Sequence, residues 1–118
     1  MFLLMIAALA TTGAEGDAAF SYRIESAAEV RGVDLDGRPG CAVYDCSRLG
    51  DEAWVRVGAA WTGPYVVTDC VAAHHREFWR ERDRVVDLPW SLWEAWGLPL
   101  APYPIELRFS PPPPPLTR

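Results

Sequence analysis

From Cys41 onward, short apolar runs alternate with clusters of turn formers, a rhythm of strands more than of helices. Cys41 to Tyr44 is one such run. Trp54 to Val57 alternates residue by residue, with Val55 and Val57 on one face and Trp54 and Arg56 on the other, which predicts a half-buried strand. Gly58 to Trp61 reads as a hairpin connection, and Gly63-Pro64 then opens a strand over Tyr65 to Asp69. Arg84 to Leu88 and Ile105 to Phe109 read as two further strands, with a short helix between them and Asp69 in the polar stretch His74 to Asp83. The clearest helix is Trp90 to Trp96, because Pro89 suits a first helical position and Gly97 the position just past the end. Its Leu92, Ala95 and Trp96 share one side and are expected to face the core, leaving Trp90 and Trp93 together on another flank.

The first forty residues are less regular. Phe20 to Ile24 reads as extended, Ser26 to Arg31 as a turn or two of helix, and Val33 to Gly40 as a loop dense in turn formers. Asp34 and Asp36 lie in that loop, but no closing Glu follows at the spacing of a calcium loop. Phe2 to Ala10 is a short apolar run ending in small residues. It has the character of a secretory signal core, with Ala8-Leu9-Ala10 as the cleavage triplet, although the usual positive flank is missing. The run is too short to span a bilayer, and the alternative is a buried N-terminal strand. Ser110 and the prolines 111 to 115 form a polyproline tail. The expected organisation is a signal-like segment over 1–16, one domain over 17–109 and a proline-rich tail over 110–118.

Composition narrows the function. The 118 residues carry a net charge of −5, so no basic face exists to neutralise phosphates, which argues against a nucleic-acid partner and an anionic membrane surface. All eleven basic residues are Arg and none is Lys, a bias that codon usage in a GC-rich genome explains. Half the residues are hydrophobic and six are Trp, enough for one small core that gains from a covalent staple. In an exported chain the three cysteines, Cys41, Cys46 and Cys70, imply a disulfide and one thiol left over. Cys46 with Cys70 is the preferred pair, since one precedes the strand at residue 54 and the other ends the strand at residue 69; Cys41 with Cys46 is the alternative. There is no CxxC, and the two histidines, His74 and His75, are adjacent, so neither a zinc site nor a cofactor is expected.

The candidate chemistry lies in two acids at strand ends, Asp69 in VVTDC and Asp87 in RVVDLPWSLWEAWG. Each follows a β-branched run, so the sheet fixes the backbone while the carboxylate reaches an open surface. Two such groups can form an acid/base pair when one has its pKa raised by burial or by the other.

The strand AWVRV, the strand GPYVVTD and the segment VVDLPWSLWEAWG together resemble the double-psi β-barrel of rare lipoprotein A-like proteins, and more distantly expansins and barwin. The resemblance covers about Cys41 to Phe109 and implies a mainly β fold, a six-stranded barrel with one or two short helices. It matches Asp69 to the acid of the family's Val-Thr-Asp strand and Asp87 to that of its Asp-Leu-Ser step, with Pro89 standing where Ser is usual. Such acids line a groove that holds peptidoglycan or other cell-wall polysaccharide, and some bacterial members are lytic transglycosylases. The His that competent members carry before the first long strand is replaced here by Tyr44, Asp45 and Cys46.

Three functions follow as expectations. The first is an exported, monomeric glycan-binding barrel in which Asp69 and Asp87 hold sugar hydroxyls, with Tyr65, Trp90 or Trp93 as stacking faces and His74 and His75 in a loop that reaches the groove. The second is a transglycosylase with Asp87 or Asp69 as the general acid. The third is a structural or protein-interaction barrel. The first two place the protein outside the cell, in the periplasm or at the wall.

Overall fold

A computed structural model describes residues 13–114. The described chain folds as six strands: β1 (Gly13–Ser21), β2 (Gly40–Val43), β3 (Glu52–Val57), β4 (Ala60–Cys70), β5 (Arg84–Pro89) and β6 (Tyr103–Arg108). They close into a barrel in the order β1-β5-β2-β4-β3-β6. Pairs β1–β5 and β2–β4 are parallel and the other four antiparallel, so the mainly β, closed six-stranded barrel expected from the sequence is the observed fold. Three short helices decorate the described chain: α1 (Ile24–Arg31), α2 (Arg76–Glu81) and α3 (Trp90–Ala95). None is long and apolar enough to cross a membrane.

Apart from extra residues in β4 and β5, the strands pack as their alternation predicts. Ala18, Cys41, Val43, Val55, Tyr65, Val67, Val86, Leu88 and Leu107 turn inward and make one core. Closure leaves no open sheet edge, which removes the unpaired backbone groups that invite aggregation. A second, thinner apolar layer lies outside the barrel, where α1 buries Ile24 and Ala28 over β2 and β4. Gly40 permits that approach. A Cβ there would meet Ile24 Cγ2 at 2.6 Å and Thr68 Cγ2 at 2.8 Å, closer than side chains tolerate.

Several boundaries differ from the sequence reading. β1 begins at Gly13, so residues 13–16, assigned from sequence to the signal-like segment, pair with β6 as part of the barrel. The triplet Ala8-Leu9-Ala10 lies outside the described residues. β4 starts five residues earlier than Tyr65, because Ala60 to Thr62 continue the ladder with β3. In α3, Leu92 and Trp96 pack against the core as expected, but the fully buried residue is Trp93, and Ala95 is exposed. The helix ends as expected: Gly97 takes φ +68°, and the Leu98 amide donates to the Trp93 carbonyl at 3.3 Å.

Cys46 and Cys70 form the disulfide, closing a loop of 24 residues in sequence separation, and Cys41 is the free thiol inside the barrel. A disulfide is compatible with an oxidising, extracellular location.

Candidate functional site

Asp69 and Asp87 belong to different strands, and β2 lies between them. Ala42 of β2 is in register with Asp69 of β4 on one side and with Asp87 of β5 on the other. Ala19 of β1 pairs with Asp87 from the far side. One row therefore runs across four strands as Ala19, Asp87, Ala42, Asp69. Its neighbours Ala18, Val86 and Val43 are core residues, so by alternation the row faces outward. Two strand spacings separate the acids, about 10 Å between their Cα atoms. Ala42 between them is buried, only 7% exposed.

Two β-bulges create this arrangement. In β4, Cys41 pairs with Val67 but Ala42 with Asp69, leaving Thr68 as an extra residue. Strict alternation from Tyr65 and Val67 would send Asp69 into the core, and the extra residue turns it outward. Thr68 itself is buried under α1, its hydroxyl donating at 3.3 Å towards the carbonyls of Ile24 and Cys41. In β5, Asp17 pairs with Arg84 but Ala18 with Val86, so Val85 is extra and Arg84 joins Asp87 on the outer face.

The two carboxylates sit in different surroundings. Asp87 is nearly buried, and the Arg84 Nε and Nη2 both reach its Oδ1, at 2.8 and 2.7 Å. Its Oδ2 has no donor among the described residues, and no buried side-chain oxygen there lacks a partner, so Oδ2 faces solvent. Burial pushes the Asp87 carboxyl up to about 6; Arg84 opposes the rise and the charge of Asp69 adds to it. Asp69 is more open, with a side chain 33% exposed, and its Oδ1 accepts from Arg31 Nε at 2.8 Å and from the Cys70 amide at 2.9 Å. Asp87, its pKa raised by burial, and the more exposed Asp69 therefore share one row of the outer face.

The other sequence candidates separate. Tyr65 is a core residue whose hydroxyl pairs with Thr62 Oγ1 at 2.7 Å, and Trp93 is fully buried with Nε1 donating to the Pro99 carbonyl at 2.9 Å. Neither offers a stacking face, because each fills the barrel that its neighbours enclose. Trp90 is half-buried and stands against Phe20 at 4.8 Å and the exposed Tyr22 at 5.4 Å between ring centroids. His74 and His75 occupy an exposed 3-10 turn, their rings 4.1 Å apart, and hydrogen-bond to neither Asp among the described contacts. Nearby, Tyr44 lies under the Arg76 guanidinium, Asp45 caps a 3-10 turn through the Ser47 amide, and Cys46 is in the disulfide.

Sequence reasoning missed Arg31 and Arg84, the partners of the two acids, and Ala42 between them. Spacing in sequence carries no sign of these: Arg31 is 38 residues from Asp69, and Arg84 shares a face with Asp87 only through the bulge. Among the described residues no group of His, Cys, Asp and Glu is arranged to hold a metal ion. No family model, curated protein or solved structure matches the chain.

Proposed function

We propose that this is an exported barrel that binds cell-wall glycan, peptidoglycan in the first instance, across the row formed by Asp87, Ala42 and Asp69. The observation that carries the reading is the shared register of both acids on Ala42. A carboxylate at each side of one outward row suits a sugar, whose hydroxyls donate to the acids. The Trp90 and Tyr22 rings, just past the ends of β5 and β1, are the stacking surface that replaces Tyr65 and Trp93. The resemblance to rare lipoprotein A-like barrels supports the same ligand class, and the disulfide supports export.

The raised Asp87 carboxyl favours a second reading, lytic transglycosylation. Protonated Oδ2 gives its proton to the leaving glycosidic oxygen. The carboxylate left behind, stabilised by Arg84, takes the proton of the sugar hydroxyl that closes the internal ring, so no water is consumed. Paired acids flank a glycosidic bond at about 5–10 Å, a range that two strand spacings approach.

Retention on insoluble peptidoglycan tests the first reading, and release of anhydro-muropeptides tests the second. The wild-type chain is expected to be retained, with Asp69→Asn and Asp87→Asn each several-fold weaker. Absence of retention, or equal retention of all three proteins, defeats the binding reading and leaves an interaction barrel. Release that persists undiminished in Asp87→Asn removes that residue as the acid.

A further inference from the structure

A groove of about 510 Å³ runs beside α1, lined by Arg23, Ser26, Ala27, Val30, Arg31 and Asp69. Its charge runs against that of the chain: two guanidiniums face it with one carboxylate, in a protein of net charge −5. Arg38, Arg56 and Arg84 each have an acid of their own, Glu52, Glu106 and Asp87. The Arg23 guanidinium has no partner among the described residues, and Arg31 Nε donates to Asp69 Oδ1 at 2.8 Å. Arg31 is itself partly exposed, 39% at its side chain, and a guanidinium takes a carboxylate through paired hydrogen bonds. Val30, next to Arg31, adds an apolar surface that is 86% exposed.

We infer that this groove is a subsite for carboxylate groups repeated along the ligand, so that the glycan is an acidic one and not a neutral polymer such as cellulose or chitin. Arg31 takes one carboxylate beside Asp69. Arg23, eight residues away and hence roughly 12 Å along the helix axis, takes the next. The methyl of an acyl or lactyl substituent lies on Val30. The inference rests on the proposed function for the identity of the chain that carries the acids; the groove's preference for carboxylates stands on the arginines alone.

The test is equilibrium binding of the whole protein to soluble peptidoglycan strands and to the same strands with their carboxyls converted to neutral amides. Amidation is expected to weaken binding at least tenfold, and the double variant Arg23→Gln/Arg31→Gln is expected to bind both forms equally. Both arginines are exposed, and an unchanged thermal midpoint confirms that the variant is folded. Equal affinity of the wild type for the two forms overturns the inference, as does a double variant that keeps the preference. A parallel titration with soluble polyglutamate separates the two failures. Binding to polyglutamate that the double variant loses, with no binding to any glycan, upholds the carboxylate site and removes the glycan reading. Binding to neither ligand overturns both.

Discussion

Replacing Asp87 by Asn tests the balance of forces at the site most directly. The side chain is 13% exposed and its partner Arg84 21%, so solvent screens this pair little. Burial favours the neutral acid, Arg84 favours the anion, and burial prevails, leaving the carboxyl at about 6 against an ordinary 3.8. A group that holds its proton more tightly folded than unfolded stabilises the fold fully while both states are protonated. That contribution is lost as the pH rises from about 4 to about 6. The gap of about two pH units corresponds to roughly 3 kcal/mol. Asn cannot ionise, so the variant lacks this loss. Urea unfolding of both proteins from pH 4 to pH 8 is expected to show the variant gaining 2–3 kcal/mol on the wild type across that window, ~1.4 kcal/mol for each pH unit of the gap. Above pH 7 the difference is constant. Arg84→Met removes the group that opposes the rise, so the loss still begins near pH 4 but is larger and extends to higher pH. Parallel curves refute the reasoning. A wild type that gains on Asp87→Asn as pH rises shows the opposite, that the ion pair prevails over burial.

Other consequences follow from the packing. Cys46→Ser/Cys70→Ser opens the 24-residue loop and is expected to lower unfolding stability by about 3–4 kcal/mol in urea; a wild-type midpoint unchanged by reductant contradicts this. Gly40→Ala forces a Cβ against Ile24 and Thr68 and is expected to cost about 1–3 kcal/mol, with faster amide exchange in α1; wild-type exchange there removes the close-approach argument. Trp93→Ala empties the barrel and is expected to cost about 3–5 kcal/mol, whereas Trp90→Ala, at the surface, reduces peptidoglycan retention with a much smaller change in the urea midpoint. Equal stability loss in the two Trp variants counts against the division between core and surface rings.

The sequence by itself did not mark β1 over Gly13–Ser21, but it determined the strands from Cys41 onward and the α3 helix with its Gly97 end, favoured the observed disulfide pair over Cys41 with Cys46, and singled out the two acids. These are local properties. Alternation along Trp54–Val57, the turn formers around the runs, and the flanking Pro89 and Gly97 all act within a few residues, where the backbone's own preferences decide. Tertiary structure alone decided which way the side chains point. By parity Asp69 belongs with Tyr65 and Val67 in the core, and Arg84 belongs opposite Asp87. One extra residue in each strand, Thr68 and Val85, reverses both. A bulge arises where two strands disagree in length over the same span, which depends on the partner strand and leaves no trace in either strand's pattern. The same holds for Trp93, which helical spacing sets on a flank with Trp90 until barrel closure surrounds it, and for Arg31, brought to Asp69 only when α1 lies across β2 and β4.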